Sequence, residues 1–90
     1  MNKVKKGFTI EYHLINGVLM EWNPLSVDGP ALREEYIRYI PEILNLKGDR
    51  KKIINFLEDV LLNKMQVDYD PSDAFHKREI MEITAKLSDI

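Results

Sequence analysis

The chain of 90 residues contains no cysteine. This absence excludes disulfide bonds, thiolate catalysis and zinc sites with cysteine ligands. Because small secreted domains usually depend on disulfides, a disulfide-free domain of this length is expected in a reducing compartment, and we predict a cytoplasmic protein. Proline and glycine are also scarce, at four residues each. We expect a single domain over residues 1–90, with residues 1–6 as a flexible arm.

A strong charge of one sign and long apolar runs are absent as well. The formal net charge is −2, so no overall field favours nucleic acid or anionic lipid. The region after the basic start is interrupted by Glu11, His13, Asn16 and Glu21, which neither a signal-peptide core nor a membrane span tolerates. Hydrophobic residues make up 44% of the chain, which is enough to form a folded core.

Apolar residues in the first ordered segment, residues 8–22, fit two periods. Steps of four and three predict one face of a helix, made of Phe8, Tyr12, Ile15, Leu19 and Trp22. Alternation at the start of the segment, followed by Asn16-Gly17, also fits a β-hairpin. The helix accounts for the whole segment, whereas the hairpin leaves Leu19 on the wrong side of its return strand. An α+β fold with an N-terminal hairpin at 8–22 is the alternative.

Three further helical segments are predicted after the turn at Pro24. The second segment, residues 31–46, contains Pro41, which predicts a kink or two short helices in sequence. Asp49 is the predicted N-cap of a third helix over residues 50–65.

The last helix is predicted to open at Asp70-Pro71, with Asp70 as its cap and Pro71 at its first position. Its apolar face contains Ile80, Ile83 and Leu87. The sequence therefore predicts an all-α fold, a compact bundle of four to five short helices.

Side chains with the spacing of a catalytic or metal site are not recognisable. The two histidines, His13 and His76, lack further ligands at helical spacing and are predicted to lie on surfaces or helix flanks. There is no glycine-rich phosphate loop and no nucleophile elbow. We predict that the protein is not an enzyme and that it has no catalytic residues, no metal and no cofactor.

One stretch has the spacing of a calcium-binding loop, through Asp68, Asp70, Ser72 and Glu79. Asp73 stands where that loop needs glycine. The Asp70-Pro71 pair is better explained as a helix start.

An acidic region between residues 58 and 73 carries five acids and one base. Tyr69 lies inside it, and aromatic residues often anchor protein interfaces. An acidic, aromatic-bearing surface suits a basic protein partner. The predicted partner-binding residues are Glu58, Asp59, Asp68, Tyr69, Asp70 and Asp73.

A basic cluster, Arg50-Lys51-Lys52, supplies the alternative function. At the start of a helix these residues could contact phosphate, as in a helix-turn-helix reader of DNA. Three consecutive charges at a helix start more often face water. The alternative is a nucleic-acid-binding regulatory protein that uses this cluster.

Two motifs resemble a group of small bacterial helical proteins of unknown function. The first is Trp22-Asn23-Pro24-Leu25, similar to a Trp-Asp-Pro turn at the end of an N-terminal helix. The second is the stretch 35–43, which reads Glu-Tyr-x-x-Tyr-x-Pro-x-Ile, and Met65-Gln66-Val67 matches a later segment. The chain departs from the pattern at Asn23, where the group has Asp, and in the short connection 26–29.

The resemblance implies a small helical fold, in which the Trp22 indole packs on the face of Tyr36 and Tyr39, and it brings no catalytic residues. Bacterial immunity proteins are similar in size, acidity and lack of an active site. By that analogy we expect an immunity protein that neutralises a bacterial toxin by steric and electrostatic occlusion.

Overall fold

The computed structural model describes the backbone of residues 6–90 and the side chains from residue 10 onward, and over this range it contains helices and no strand. The all-α prediction is confirmed. The first segment is one helix, Lys6–Trp22, and not a hairpin, because only a helical register buries both Ile15 and Leu19. The predicted arm over residues 1–6 lies outside the described residues, except for Lys6, at which this helix begins.

Over residues 6–90, five α-helices follow one another, with two 3₁₀ turns and one π-helical segment. In chain order they are α1 (Lys6–Trp22), a 3₁₀ turn (Gly29–Ala31), α2 (Leu32–Glu35), a 3₁₀ turn (Ile37–Tyr39), α3 (Ile40–Leu46), α4 (Arg50–Asp59), a π-helical segment (Val60–Lys64) and α5 (Ala74–Ser88).

The second predicted segment is divided, as expected, but the break lies before Pro41. Tyr36 ends α2, and the 3₁₀ turn Ile37–Tyr39 leads into α3. Pro41 lies in the first turn of α3, where its missing N–H needs no partner. The proline therefore begins a helix and does not kink one.

Hydrogen bonds mark both the start of α4 and the end of the π-helical segment that follows it. Asp49 is its N-cap, as predicted, and its Oδ1 accepts a hydrogen bond from the Lys52 N–H at 3.2 Å. After the π-helical segment, Gln66 has a positive φ of 56°. The Val67 N–H then donates a hydrogen bond to the Leu61 carbonyl, six residues earlier, at 3.0 Å, so a carbonyl near the helix end gains a partner.

The predicted start of the last helix is wrong by one turn. Asp73, and not Asp70, is the N-cap of α5, and its Oδ1 accepts hydrogen bonds from the N–H groups of Phe75 and His76. Asp70 instead closes a turn, because its Oδ1 accepts from the N–H and the hydroxyl of Ser72. The later start gives two exposed N–H groups of α5 a partner, while Asp70 still orders the approach to the helix.

The core lies between an antiparallel pair, α4 and α5, and the helices α1 and α3 that cover it. Ion pairs at both ends fix the direction of α4 against α5, with Arg50 and Asp89 3.8 Å apart and Glu58 and Lys77 2.7 Å apart. The core cluster consists of Ile15, Leu19, Tyr36, Ile40, Ile43, Ile53, Leu57, Leu61, Ile80, Ile83 and Leu87.

Asn23 connects the end of α1 to the middle of the chain. Its φ of 49° is a left-handed conformation that asparagine tolerates well. Its Oδ1 accepts from the Tyr36 hydroxyl at 2.7 Å and from the Val27 N–H at 3.0 Å, and its Nδ2 donates to the Val27 carbonyl at 3.0 Å. The Tyr36 hydroxyl also accepts from the Leu25 N–H at 2.9 Å. The Tyr36 hydroxyl thus forms two hydrogen bonds with this turn: it donates to Asn23 and accepts from Leu25.

This bonding pattern requires a side-chain donor at position 23, which asparagine supplies and aspartate lacks. We expect Asn23→Asp to lower the free energy of unfolding by about 1–2 kcal/mol, because a carboxylate cannot donate to the Val27 carbonyl. Urea unfolding followed by circular dichroism measures the change. The matched control is Asn55→Asp on the exposed face of α4, for which we expect less than about 0.5 kcal/mol. Equal effects at the two positions would contradict this account of the turn.

Candidate functional site

A groove lies where three parts of the chain meet, and it is here called the Trp22 groove. The end of α1 and its turn form one wall, the segment after the π-helix forms the second, and α5 forms the third. Its volume is about 350 Å³, near the lower end for ligand-binding pockets. The lining residues are Trp22, Asn23, Pro24, Leu61, Val67, Asp68, Tyr69, His76 and Glu79.

Unusual backbone conformations border this groove on two sides. Asn23 lines it with a positive φ of 49°, and Gln66, with a φ of 56°, immediately precedes the lining residue Val67. Leu61, another lining residue, belongs to the π-helical segment. Positive φ at a residue such as Gln66 costs about 1 kcal/mol or more, and such conformations and π-helical turns concentrate at functional sites.

Glu58 fixes the second wall of the groove from beneath. Its Oε2 accepts a hydrogen bond from the Tyr69 hydroxyl at 2.6 Å and another from the Lys77 ammonium at 2.7 Å. The Glu58 side chain retains only 16% of its exposure. Burial by itself raises the pKa of Glu58, but the hydrogen bonds from Lys77 and Tyr69 outweigh it, so the pKa is lowered. Burial and the bond to the Glu58 carboxylate both raise the pKa of Tyr69.

Tyr69, Asp70 and His76 form one ordered unit at the mouth of the groove. The rings of Tyr69 and His76 stack with centroids 5.7 Å apart at an angle of 21°. The His76 Nδ1 accepts a hydrogen bond from the Asp70 N–H at 2.9 Å, so the proton of the neutral ring lies on Nε2. The segment is therefore tied to α4 through Glu58 and to α5 through His76.

The six predicted partner-binding residues divide into three groups. Asp68 and Tyr69 line the groove. Glu58 lies beneath Tyr69, and Asp73 caps α5, so both have structural tasks. Asp70 and Asp59 are exposed: Asp70 closes the turn with Ser72, whose hydroxyl and N–H lower the pKa of the Asp70 carboxyl, and Asp59 accepts from the Asn63 amide at 2.6 Å outside the groove.

Seven of the nine lining residues were not predicted as part of this site, among them Trp22, His76 and Glu79. Trp22 and His76 were considered singly, and Glu79 only as a calcium-loop position. The spacing of His76 and Glu79, three residues apart on a helix, does place them on neighbouring positions of one face. No comparable signal in the sequence connects Trp22 to them, because the connection is made by the packing of α1 near α5.

The basic cluster lies outside the Trp22 groove. Arg50, Lys51 and Lys52 are exposed on the first turn of α4, at the end of the α4–α5 pair opposite to Glu58. The Arg50 guanidinium lies 3.8 Å from the Asp89 carboxylate, which neutralises part of its charge. The cluster and the Trp22 groove are therefore separate surfaces.

Among the described residues, no group of three or more His, Asp or Glu side chains is arranged to hold a metal ion. Over the same residues no helix has the length and apolar character needed to cross a membrane.

Comparisons of the chain with protein-family models, curated proteins and solved structures gave no match. The chemistry of the groove is thus the basis for a functional proposal.

The Glu58 network predicts a specific acid dependence of stability. The pKa of Glu58 is lower in the folded chain than its usual value of 4.5, so its contribution is fully present above about pH 4.5 and is lost as the pH falls through the folded-state pKa. We expect Glu58→Gln to lower the free energy of unfolding at pH 7 by about 1–2 kcal/mol. The difference between wild type and variant should shrink as the pH falls from 5 towards 3.

Urea titrations at a series of pH values measure this difference. Asp59→Asn is the matched control, since Asp59 is the neighbouring carboxylate and is exposed. A Glu58→Gln difference that stays constant with pH would contradict the assigned network.

Proposed function

We propose that this chain is a protein-binding module whose Trp22 groove receives a basic side chain of a partner protein. The observation that carries the proposal is the meeting of two carboxylates, Asp68 and Glu79, with the aromatic rings of Trp22 and Tyr69 in one groove. The cation of a lysine or arginine pairs with carboxylates and also stacks on aromatic faces. An anionic or purely apolar group would not use both features.

The two carboxylates are available for such a pairing. Asp68 and Glu79 are both exposed, and neither forms a salt bridge or hydrogen bond with any described residue. Lys77 lies two residues before Glu79 on α5. It is already paired with Glu58 at 2.7 Å. The negative charge of the groove therefore remains open to a partner.

The walls of the groove are held in place before binding. Glu58 fixes Tyr69, His76 fixes Asp70, and Asn23 fixes the turn next to Trp22. A site that is already ordered loses little conformational entropy when it binds, so more of the contact energy appears as affinity. This order supports a recognition surface more than a solvated loop.

The specific form of the proposal is an immunity protein. Exposed acids beside the groove, such as Asp70, would steer a basic toxin domain towards it and speed association. Inhibition would follow from steric occlusion of the toxin's active or docking surface, and it requires no catalytic residue in this chain. The analogy in size and acidity to bacterial immunity proteins supports this form.

Trp22 is the chain's one tryptophan and serves as an internal fluorescence probe of the groove. We expect a peptide with two arginines to change its fluorescence saturably, and the same peptide with two neutral citrullines to have a much smaller effect. The paired variant Asp68→Asn and Glu79→Gln should weaken binding about tenfold, which corresponds to about 1.4 kcal/mol. Asp59→Asn, outside the groove, should change the affinity by less than about twofold.

Equal binding of the arginine and citrulline peptides, or an unchanged affinity of the paired variant, would contradict the proposal.

The nucleic-acid alternative is tested by the same kind of binding titration. Binding of a DNA or RNA duplex at low salt, abolished by Lys51→Gln with Lys52→Gln and untouched by the groove variant, would favour the alternative.

The immunity mechanism is tested with the product of the neighbouring gene, the first place to look for a cognate toxin. Cells that express that product should survive only when this chain is coexpressed, and the paired groove variant should protect less well. Protection by the variant at the wild-type level, or a neighbouring product without toxicity, would count against the immunity mechanism and leave peptide binding as the separate test of the groove.

A further inference from the structure

The outer face of α5 carries apolar residues that no other part of the described chain covers. Phe75 retains 77% of its exposure and Met81 retains 55%. Between the longer side chains lies a shallow trough of about 570 Å³, lined by Ala74, Lys77, Arg78, Met81, Glu82 and Ala85. This face lies opposite the core face of α5, which contains Ile80, Ile83 and Leu87.

The spacing on this outer face is that of a helix-packing seam. Ala74, Arg78, Met81 and Ala85 recur at steps of four, three and four, which is the repeat through which helices of a coiled coil meet. The two alanines allow a second helix to approach closely, while Met81 is a flexible apolar side chain suited to filling such a contact.

The charges on this face are complementary to those of a second copy of the same chain. Arg78 and Glu82 are one helical turn apart and of opposite sign. In an antiparallel pair of α5 helices centred between them, Arg78 of each copy lies opposite Glu82 of the other, so the favourable contact occurs twice. A parallel pair would instead place like charges opposite each other.

The neighbouring side chains leave Arg78 available for this contact. Its guanidinium carbon lies 6.0 Å from the centre of the Phe75 ring, on the same side of the helix. Lys77, the adjacent base, is already paired with Glu58. Arg78 forms no salt bridge with a residue of the described range.

We propose that two copies of this chain form an antiparallel, two-fold symmetric dimer through the outer face of α5, with reciprocal Arg78–Glu82 ion pairs around Met81. A contact between single helices is smaller than the roughly 800 Å² per partner of a standard interface, so the dimer is a weak one. We expect a dissociation constant in the micromolar range, roughly 10–100 µM.

Sedimentation velocity of the full chain from about 1 to 500 µM tests the proposal. The wild type should shift from monomer to dimer across this range. Arg78→Glu and Glu82→Arg should each weaken self-association at least about tenfold, since each places like charges opposite one another at both sites of the dimer. All of the changes lie on the surface, and circular dichroism checks that each variant is folded.

Two further samples separate the ion pairs from a general effect of substitution. The double variant Arg78→Glu with Glu82→Arg should dimerise about as well as the wild type, and an equimolar mixture of the two single variants should form a heterodimer. A wild type that stays monomeric at 500 µM, single variants that dimerise normally, or a double variant without recovery would each overturn the proposal. Because these residues lie outside the Trp22 groove, the peptide titration above should be unchanged in all of the variants.

Discussion

Glu58 is the residue on which the arrangement of the chain around the Trp22 groove depends. One carboxylate oxygen binds the Tyr69 hydroxyl from the irregular segment and the Lys77 ammonium from α5. α4, the segment after it and α5 thereby share a single acceptor. A carboxylate that is mostly removed from water is stable as an anion only when it is paired in this way. The same bonds therefore keep Glu58 ionised and hold Tyr69 in the wall of the groove.

The positions of the two proposed sites follow from the different faces of α5. α5 presents its core face to α4 and α1, one flank with His76 and Glu79 to the groove, and its outer face with Met81 to solvent. One helix can thus serve a proposed partner site and a proposed self-association site without conflict.

Most of the acidic side chains that are close in sequence have different roles in the structure. Glu58 is a largely buried hydrogen-bond acceptor, Asp70 closes a turn, Asp73 caps α5 and Asp68 is an exposed anion.

The fold was largely predictable because helical periodicity and helix caps are local properties. The helix over 8–22, the cap at Asp49 and the interruption of 31–46 all follow from residues close in sequence. The start of α5 was misplaced because Asp70 and Asp73 are both suitable caps, and the choice depends on bonds to Ser72 and His76. The groove was predicted only in part, through Asp68 and Tyr69, since Trp22 reaches it through the packing of distant helices, which sequence spacing does not encode.

Amide hydrogen exchange in Tyr69→Phe tests most directly whether the Glu58 network holds the wall of the groove. This variant keeps the aromatic ring and the Glu58–Lys77 pair and removes only the hydroxyl. If the network acts as described, the amides of Val67, Tyr69 and Asp70 should exchange about fivefold faster or more, as expected for a loss of about 1 kcal/mol, while the core amides of α1 and α4 change less. Unchanged exchange in this segment, or an equal acceleration throughout the chain, would contradict the account.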